Sequence, residues 1–369
     1  MRRWKERVKA LSGRVKSRWI VAACLLALIQ ALKLEPAWCE WYARHVYPLL
    51  MGLFSALSSR VPFSVGDCLI YGSILFLILY AARAILRRKP FWSSFAFVGE
   101  YLIWAYAWFY LAWGLNYFRM DFYARTGLRP TPFSSEAFSA FLDDYTEGLN
   151  ASYRDAGPDP RAIPPSRMAT IATKAFSQDA TANLGLAALP ARLQAKPMLL
   201  PRLMSGVGVT GYMGPFLAEF HLNQRLLPSQ YPFTYLHELS HLLGVSNEAE
   251  ANFHAYLGCV ASDEAPVRFS GYFSLLPYVA SNARQALGKE AYRAWIGRIN
   301  PEILALYDKK AAYWQALYYP IVGEAQEWIY NLFLRGNRIA SGTANYSEVV
   351  ALLIAIRENA KGNPLSASR

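Results

Sequence analysis

The sequence predicts a mainly α-helical membrane protein, in which three N-terminal transmembrane helices precede an α+β domain with a small sheet and a C-terminal helical subdomain. Three observations predict this architecture. Long apolar runs are confined to the first 119 of 369 residues, a composition typical of soluble domains follows, and most of the excess positive charge accompanies the apolar runs. Over the whole chain 17% of residues are charged, which is below the roughly 25% of soluble domains.

The positive charge belongs to the N-terminal third of the chain. The formal net charge is +12, of which residues 1–119 contribute +11 and residues 120–369 only +1. Basic residues next to apolar spans mark the cytoplasmic side of a membrane. The charge therefore predicts the lipid bilayer as a partner and argues against nucleic acid. Four scattered cysteines without a CxxC pair also exclude a cysteine-based zinc site and a disulfide framework.

Three apolar runs are long enough for helices that cross ~30 Å of hydrocarbon. They cover residues 19–34, 68–86 and 91–118. The positive-inside rule makes residues 1–18 a cytoplasmic basic tail. It also places the basic loop between the second and third runs in the cytoplasm. Residues 119–369 are then expected outside the cytoplasm.

Two segments of the membrane region allow a second interpretation. The first run could be a cleaved signal peptide, but it has no small-x-small cleavage site. Residues 45–59 could form a fourth span, which would invert the large domain. This segment is short and contains Pro48, so we expect an interfacial or re-entrant amphipathic helix. Glu100, inside the third run, needs a partner, which we expect to be a structural hydrogen bond to a neighbouring helix.

The region after Arg119 predicts helices with two short strands between them. Patterning indicates helices over Ser135–Tyr153 and Thr170–Ala182, and mostly helix from Tyr272 to Lys361 with breaks near Pro301, near Pro320 and at Gly336-Asn337. The segments Lys196–Met204 and Phe216–Asn223 read as strands, and a helix begins near Phe233.

That last helix carries an HExxH motif, His237-Glu238-Leu239-Ser240-His241. Residues four apart share one helical face, so both imidazoles can reach one metal ion, with Glu238 beside it. Two neutral imidazoles favour Zn²⁺. The helix is otherwise apolar, and two of the chain's five histidines occupy the motif. We therefore expect the metal helices near residues 233–258.

A catalytic zinc site needs a third protein ligand. Gly244 can end the first helix and let the chain reverse. Asn247 stands where an HExxHxxGxxH protein has its third histidine, and an amide is a poor zinc ligand. The second helix, which starts at Asn247 or Glu248, offers Glu248, Glu250 and His254 as candidates. From the residues alone these three remain open.

The segment Glu248-Ala249-Glu250-Ala251-Asn252 resembles the ExxA[DN] signature of gluzincin proteases. This resemblance implies a zincin-like domain in which Glu248 is the third metal ligand and Asn252 supports a ligating histidine, with Glu250 as the alternative ligand. In gluzincins a strand before the HExxH helix pairs with an extended substrate. By that analogy Phe216, Ala218 and Phe220 are substrate-binding residues on an edge strand. His221 on this strand is expected to be exposed.

Five features in order resemble an uncharacterised bacterial membrane family, domain of unknown function 3810. They are the N-terminal spans, WGLNYFR (Trp113–Arg119), GPFLAEFHLN, HELSH with EAEAN, and GTANYSEVV (Gly342–Val350). The resemblance implies a multi-pass protein of the bacterial cell membrane with a zinc-metalloprotease-like domain. It implies no substrate.

Together these observations predict a membrane-anchored zinc metallopeptidase that acts on a peptide or protein. Glu238 is the expected general base for a water molecule activated by the metal. Tyr272, Tyr278 and Arg284 are candidates for stabilising the oxyanion. The alternative is a catalytically silent zinc-binding membrane sensor or scaffold that binds peptide. The sequence indicates neither the substrate nor the oligomeric state.

Overall fold

The computed structural model describes residues 2–177, 184–337 and 348–362, which form a mostly helical protein with one small sheet. The membrane-region helices are α1 (Arg2–Leu34), α2 (Pro36–His45), α3 (Tyr47–Ser58), α4 (Val65–Leu86) and α5 (Phe91–Ala112). The helices that follow are α6 (Phe122–Thr126), α7 (Ser135–Ala156), α8 (Pro165–Ala175), α9 (Pro201–Gly206), α10 (Tyr231–Leu242), α11 (Glu248–Val260), α12 (Ala265–Ala286), α13 (Lys289–Ile296), α14 (Pro301–Leu317), α15 (Pro320–Gly336) and α16 (Val349–Gly362). The strands are β1 (Lys196–Pro197), β2 (Gly211–Gly214) and β3 (Glu219–Leu222).

Three helices are long and apolar enough to cross a membrane, as the sequence predicts. The spans are Ser17–Leu34, Val65–Leu86 and Phe91–Ala112. The basic tail continues the first span, because α1 is one helix from Arg2. The third span ends before residue 118, since Trp113 leaves helical backbone angles (φ −157°, ψ −37°) and a 3₁₀ turn follows over Gly114–Phe118. An ion pair with Arg18 of α1 (3.4 Å) provides the partner that Glu100 needs.

The segment 45–59 forms α3, whose two faces differ. Tyr47 and Met51 are buried, whereas Leu49 and Leu53 on the other side are exposed. The Tyr47 hydroxyl donates a hydrogen bond to the carbonyl of Leu242 at the end of α10 (2.5 Å). The apolar helix α3 therefore packs directly against the HExxH helix. Its position at a membrane interface stays a prediction.

The sheet has the order β1-β3-β2, so the predicted edge strand is the central strand. β3 pairs in parallel with β1 and antiparallel with β2. The prediction of an exposed edge is wrong because the polar residues Glu219 and His221 are both buried. Their alternation with apolar residues marks a buried polar network instead of a solvent face. The first predicted strand is also shorter than expected, since Pro201 begins α9.

Three other sequence expectations agree with the described elements. α7 covers Ser135–Tyr153, and the C-terminal region breaks before Pro301 and before Pro320. Residues 178–182 of the predicted helix Thr170–Ala182, and residues 342–347 of GTANYSEVV, lie outside the described residues.

One continuous hydrophobic core joins the membrane-side helices to the rest of the protein. It contains Tyr47 of α3 and Leu115 of the 3₁₀ turn together with Leu239 of α10, Phe253 of α11 and Phe273 of α12. The expected boundary at residue 119 thus falls between segments that share this core. The HExxH helix lies where the two parts meet.

Candidate metal centre

The hairpin of α10 and α11 brings the motif residues together. Pro232 lies in the first turn of α10, where its missing N–H is no loss. Gly244 adopts φ +94° after the end of this helix and reverses the chain. The Asn247 side chain then accepts a hydrogen bond from the backbone N–H of Glu250 (2.9 Å) and caps α11. Glu248, the first residue of α11, comes to lie opposite the two histidines.

The three side chains His237, His241 and Glu248 form an equilateral cluster of donor atoms. The two Nε2 atoms are 3.2 Å apart. Each of them is also 3.2 Å from Oε2 of Glu248. Donors bonded tetrahedrally to zinc at about 2.0–2.1 Å would stand about 3.3 Å from one another. The donor set and its spacing therefore fit a zinc ion, and no other group of the described residues offers such a cluster.

The charges in the cluster favour a bound cation. Burial alone would lower the pKa of His241, but the adjacent Glu248 carboxylate outweighs burial and raises the pKa to about 9. Burial opposes ionisation of Glu248 as well, yet its contacts with the two histidines hold its pKa well below the usual range. A hydrogen bond between Nδ1 of His241 and the carbonyl of Val245 (2.7 Å) leaves Nε2 as the metal-facing atom.

Glu238 is placed for proton transfer beside the cluster. It is 5% exposed, and burial raises its pKa to about 7, although both histidines lower it. A carboxyl with this pKa can accept and return a proton near neutral pH. Strand β2 passes so close that a Cβ on Gly211 would lie 2.5 Å from Oε1 of Glu238.

Glu250 and His254, the other candidate ligands, point to a different cluster. Arg125 binds the Glu250 carboxylate through Nη2, in a pair where both side chains are 4% exposed. His254 Nε2 lies 3.5 Å from the same carboxylate. Burial would raise the pKa of Glu250, but Arg125 and His254 lower it to about 2. The structure thus brings Glu248 to the imidazoles and assigns Glu250 to an ion pair with Arg125.

Of the supporting residues, the structure places Asn252 and Tyr278 at the site. Both line the cavity that contains the donor cluster, and their side chains contact each other. Nδ1 of His237 is buried and lacks a hydrogen-bond partner within the described part of the chain, so the expected support by Asn252 stays a prediction. Tyr272 instead packs on Gly148, and Arg284 is exposed.

The residues predicted to bind substrate on an edge strand do not border the cavity. Phe220 is 1% exposed in the centre of the sheet. Ala218 adopts φ +50° in the turn before β3, and Phe216 packs on Phe109 of α5. The neighbouring strand β2 lines the cavity in their place. His221, expected to be exposed, is fully buried, with Nε2 2.7 Å from the Ser64 hydroxyl.

Comparison with known families gives one match. The family described as protein of unknown function (DUF3810) matches residues 42–354. The chain belongs to the DUF3810 family. No curated protein and no solved structure matches it.

In this DUF3810 protein, sequence reasoning missed three side chains that hold the site in place. Trp113 donates from Nε1 to the carbonyl of His241 (3.0 Å). Arg119 binds the Glu40 carboxylate and donates to the carbonyl of Gly244 (3.1 Å) at the hairpin turn. Tyr117 lines the cavity, and burial together with the nearby Glu248 raises its pKa. All three lie in the quoted segment WGLNYFR, but its residue pattern does not indicate which groups they bind.

The cavity around the donor cluster has a volume of ≈ 920 Å³. α10, α11 and β2 form one side of it. The other side consists of Asp67, Ile70 and Tyr71 from the start of α4 and Phe109 from the end of α5. α15 closes the remaining wall with Gln326 and Glu327. A site of this size accommodates an extended peptide of several residues.

Proposed function

We propose that this chain is a membrane-anchored zinc-dependent metallopeptidase. The observation that carries the proposal is the cluster of three donor atoms at 3.2 Å separations, with the buried carboxyl of Glu238 beside it. The cluster opens into a cavity large enough for a peptide. A purely structural zinc site would need neither the cavity nor the carboxyl.

His237, His241 and Glu248 hold the zinc ion in this proposal. Zinc, when bound, acts as a Lewis acid and lowers the pKa of a coordinated water to ~7. Glu238 accepts the proton of the water that attacks the peptide carbonyl. It then delivers the proton to the amine nitrogen as the peptide bond breaks. Its pKa of about 7 suits both steps.

Tyr278 is the preferred donor for the negative charge that develops on the carbonyl oxygen. It lines the cavity, and the Glu248 charge contributes to its raised pKa. A neutral phenol that keeps its proton can donate a hydrogen bond to an oxyanion. Tyr117 is the second candidate, because it also lines the cavity and has a pKa raised by burial and by the Glu248 charge.

Strand β2 is the proposed binding edge for the substrate main chain. Among the described residues it pairs only with β3, which leaves its other edge unpaired. Four of its residues and neighbours, Thr210, Gly211, Tyr212 and Met213, line the cavity. A peptide that adds a strand here would obtain affinity from main-chain hydrogen bonds.

The charge distribution supports a location of the site on the extracytoplasmic face of the membrane. The basic N-terminal tail and the loop at Arg87–Lys89 are placed in the cytoplasm by the positive-inside rule. α1 and α5 then reach the opposite side at Leu34 and Ala112, next to the metal helices.

The proposal is tested with the full-length protein, its zinc content and a peptide library. We expect one zinc per chain and hydrolysis that a chelator abolishes and added zinc restores. Glu238→Gln should retain zinc while the rate falls by about 10²–10⁴, the usual contribution of a general base. The matched control is Glu290→Gln, which changes an exposed glutamate and should change neither quantity.

Two results would contradict the peptidase. Wild type that binds zinc but hydrolyses no peptide, like Glu238→Gln, would favour the silent sensor. Wild type without stoichiometric zinc would exclude both zinc functions.

A further inference from the structure

The cavity of the metal site borders the membrane helices α4 and α5. α4 and α5 contact each other where Tyr101 of α5 donates to Ser73 of α4 (2.7 Å) and where Tyr80 of α4 stacks on Phe97 of α5. Nearer the metal site both helices line the cavity instead, through Ile70 and Tyr71 on α4 and Phe109 on α5. The cavity-lining residues of α4 run from Asp67 to Tyr71, about 6 Å of helix. The cavity therefore borders the first two turns of α4 and the last turn of α5.

Helix α15 carries an exposed apolar stripe on the side away from the cavity. Ile321, Trp328 and Leu332 are 87%, 66% and 51% exposed. Their spacing of seven and four residues puts them on one helical face. Gln326 and Glu327, on another face, line the cavity. A helix with a polar side and an exposed Trp/Leu side is typical of one that lies in a membrane interface.

A second apolar segment continues this stripe to the membrane helices. Leu199, Leu200 and Leu203 are all more than two-fifths exposed. The N–H of Tyr319, at the start of α15, donates to the carbonyl of Gly206 at the end of α9 (2.7 Å). At its other end the segment is bound to α4, because the N–H of Leu199 donates to Asp67 (2.8 Å). We call the six exposed residues Leu199, Leu200, Leu203, Ile321, Trp328 and Leu332 the apolar rim.

We propose that the apolar rim is inserted in the membrane leaflet at the site end of α4 and α5, and that the substrate is a polypeptide anchored in that leaflet close to its scissile bond. The occupant of the rim is lipid, because the rim is continuous with α4, whose Leu69, Ile74 and Leu75 are themselves exposed. The substrate class rests on the proposed function, whereas insertion of the rim does not.

The geometry also limits the distance between the anchor and the scissile bond. The cavity follows α4 for about 6 Å, from Asp67 to Tyr71, which an extended chain covers in about two residues. A peptide held in the leaflet by an apolar segment or an acyl chain reaches the donor cluster with a short linker.

The substrate class is tested in liposomes with three versions of one fluorogenic peptide that full-length protein cleaves. One is free, one carries a palmitoyl chain about three residues from the scissile bond, and one carries it about fifteen residues away. We expect kcat/KM at least about tenfold higher for the short-linker peptide than for either other peptide. The long-linker peptide controls for simple enrichment on the vesicle. Equal rates for the two anchored peptides would overturn the inference and leave the peptidase intact.

A pair of substitutions tests the rim in the same assay. Ile321→Glu puts a charge into the rim and should reduce the preference for the short linker at least about threefold, since burial of a charge in lipid is unfavourable. Phe133→Glu is the matched control, because Phe133 is 69% exposed but lies away from the cavity. Identical preferences in the two variants would contradict insertion of the rim.

Photocrosslinking tests whether the apolar rim contacts lipid, and it does not depend on peptide hydrolysis. p-Benzoylphenylalanine replaces Ile321, or Phe133 as the control, in Glu238→Gln protein reconstituted in liposomes. We expect lipid adducts by mass spectrometry at position 321 and not at 133. Absence of lipid at 321 would overturn the inference even if the peptidase is confirmed. Lipid adducts at 321, together with a wild type that hydrolyses no peptide, would preserve the rim while the proposed function fails.

Discussion

The contact between Gly211 and Glu238 sets the position of the proposed base. A larger side chain at residue 211 would force Glu238 to move, because a Cβ would lie 2.5 Å from Oε1 and 2.6 Å from Cγ of Glu238. The strand backbone therefore forms one wall of the pocket that holds the carboxyl. The rotamer of Glu238 thus depends on Gly211, which has no reactive group of its own.

Gly211→Ala should displace Glu238 and reduce peptide hydrolysis at least about tenfold, because a shift of about 1 Å in a reacting group has effects of up to about 10². Zinc content should not change, since Gly211 does not touch the donor cluster. The measurement compares kcat and zinc per chain in this variant and in Gly288→Ala, where a Cβ meets nothing within 4 Å. Full activity of Gly211→Ala would show that the carboxyl needs no such wall.

Glu248 and Glu250 are predicted to respond differently to the same substitution. Glu248→Gln should abolish stoichiometric zinc binding. Glu250→Gln should keep zinc but lower the free energy of unfolding by about 3 kcal/mol, since it leaves the buried Arg125 guanidinium without its charge partner. Zinc analysis and denaturation of both variants check this. Loss of zinc in Glu250→Gln with Glu248→Gln unaffected would reverse the assignment.

Much of the site can be predicted from the sequence, on grounds that differ from residue to residue. His237 and His241 follow from helical periodicity, and Glu248 from a signature that resembles the gluzincins. Periodicity cannot separate Glu248 from Glu250, because that choice depends on Arg125, which lies 125 positions away. The same limit applies to Trp113, whose partner is a backbone carbonyl, and to Arg119, which binds the Glu40 carboxylate 79 positions away and two backbone carbonyls.

At the scale of elements, the turn between α10 and α11 determines the geometry of the donor cluster. Gly244 has φ +94° there, and Arg119 and Asn116 pack against it. The turn sets the angle at which Glu248 approaches the histidines. A residue that cannot adopt this conformation would separate the ligands.

Gly244→Ala should lower the free energy of unfolding by about 1–3 kcal/mol and weaken zinc binding. Two effects add here, the left-handed backbone and the close approach of Arg119 Nη1 at 3.1 Å. Gly157→Ala is the matched control, because Gly157 also has positive φ but a Cβ there meets nothing within 4 Å. Equal losses in both variants, with unchanged zinc affinity, would assign the whole effect to backbone strain.

β3 is a strand that the sequence predicts correctly along the chain but at the wrong place in the sheet. Its alternating pattern identifies the strand, but the pattern does not reveal that Glu219 accepts hydrogen bonds from the N–H groups of Val65 and Gly66 at the start of α4. Polar residues on that face therefore read as solvent-exposed. The strand order depends on these long-range contacts, so the sequence could not give it.

At the scale of the whole molecule, the protein is not a soluble domain attached to a passive anchor. Residues of α2, α3 and the 3₁₀ turn belong to the same core as α10 and α11. Burial of apolar surface is the main stabilising term of a core. The charge pattern predicts the membrane region, yet nothing in the pattern indicates this shared core.

Removal of residues 1–118 should leave a fragment that neither folds nor binds zinc. The fragment would lose Tyr47, Trp113 and Leu115 from the core and the hydrogen bonds to Leu242 and His241. Circular dichroism and zinc analysis of residues 119–369 test this. The control is removal of residues 1–16 alone, which leaves all three spans. A folded, zinc-binding fragment would contradict a shared core.

The hydrogen bond from Trp113 to His241 has a consequence for the lipid environment. α5 has 22 residues, about 33 Å of helix, and such a helix adapts to a thinner or thicker bilayer by changing its tilt. Trp113 directly follows α5, and its bond ends on the main chain of His241, one of the three proposed zinc ligands. We therefore expect a change in the tilt of α5 to shift the main chain at His241. The acyl-chain length of the host membrane is thus expected to change the rate of peptide hydrolysis. This effect would arise from bilayer thickness and would need no bound ligand.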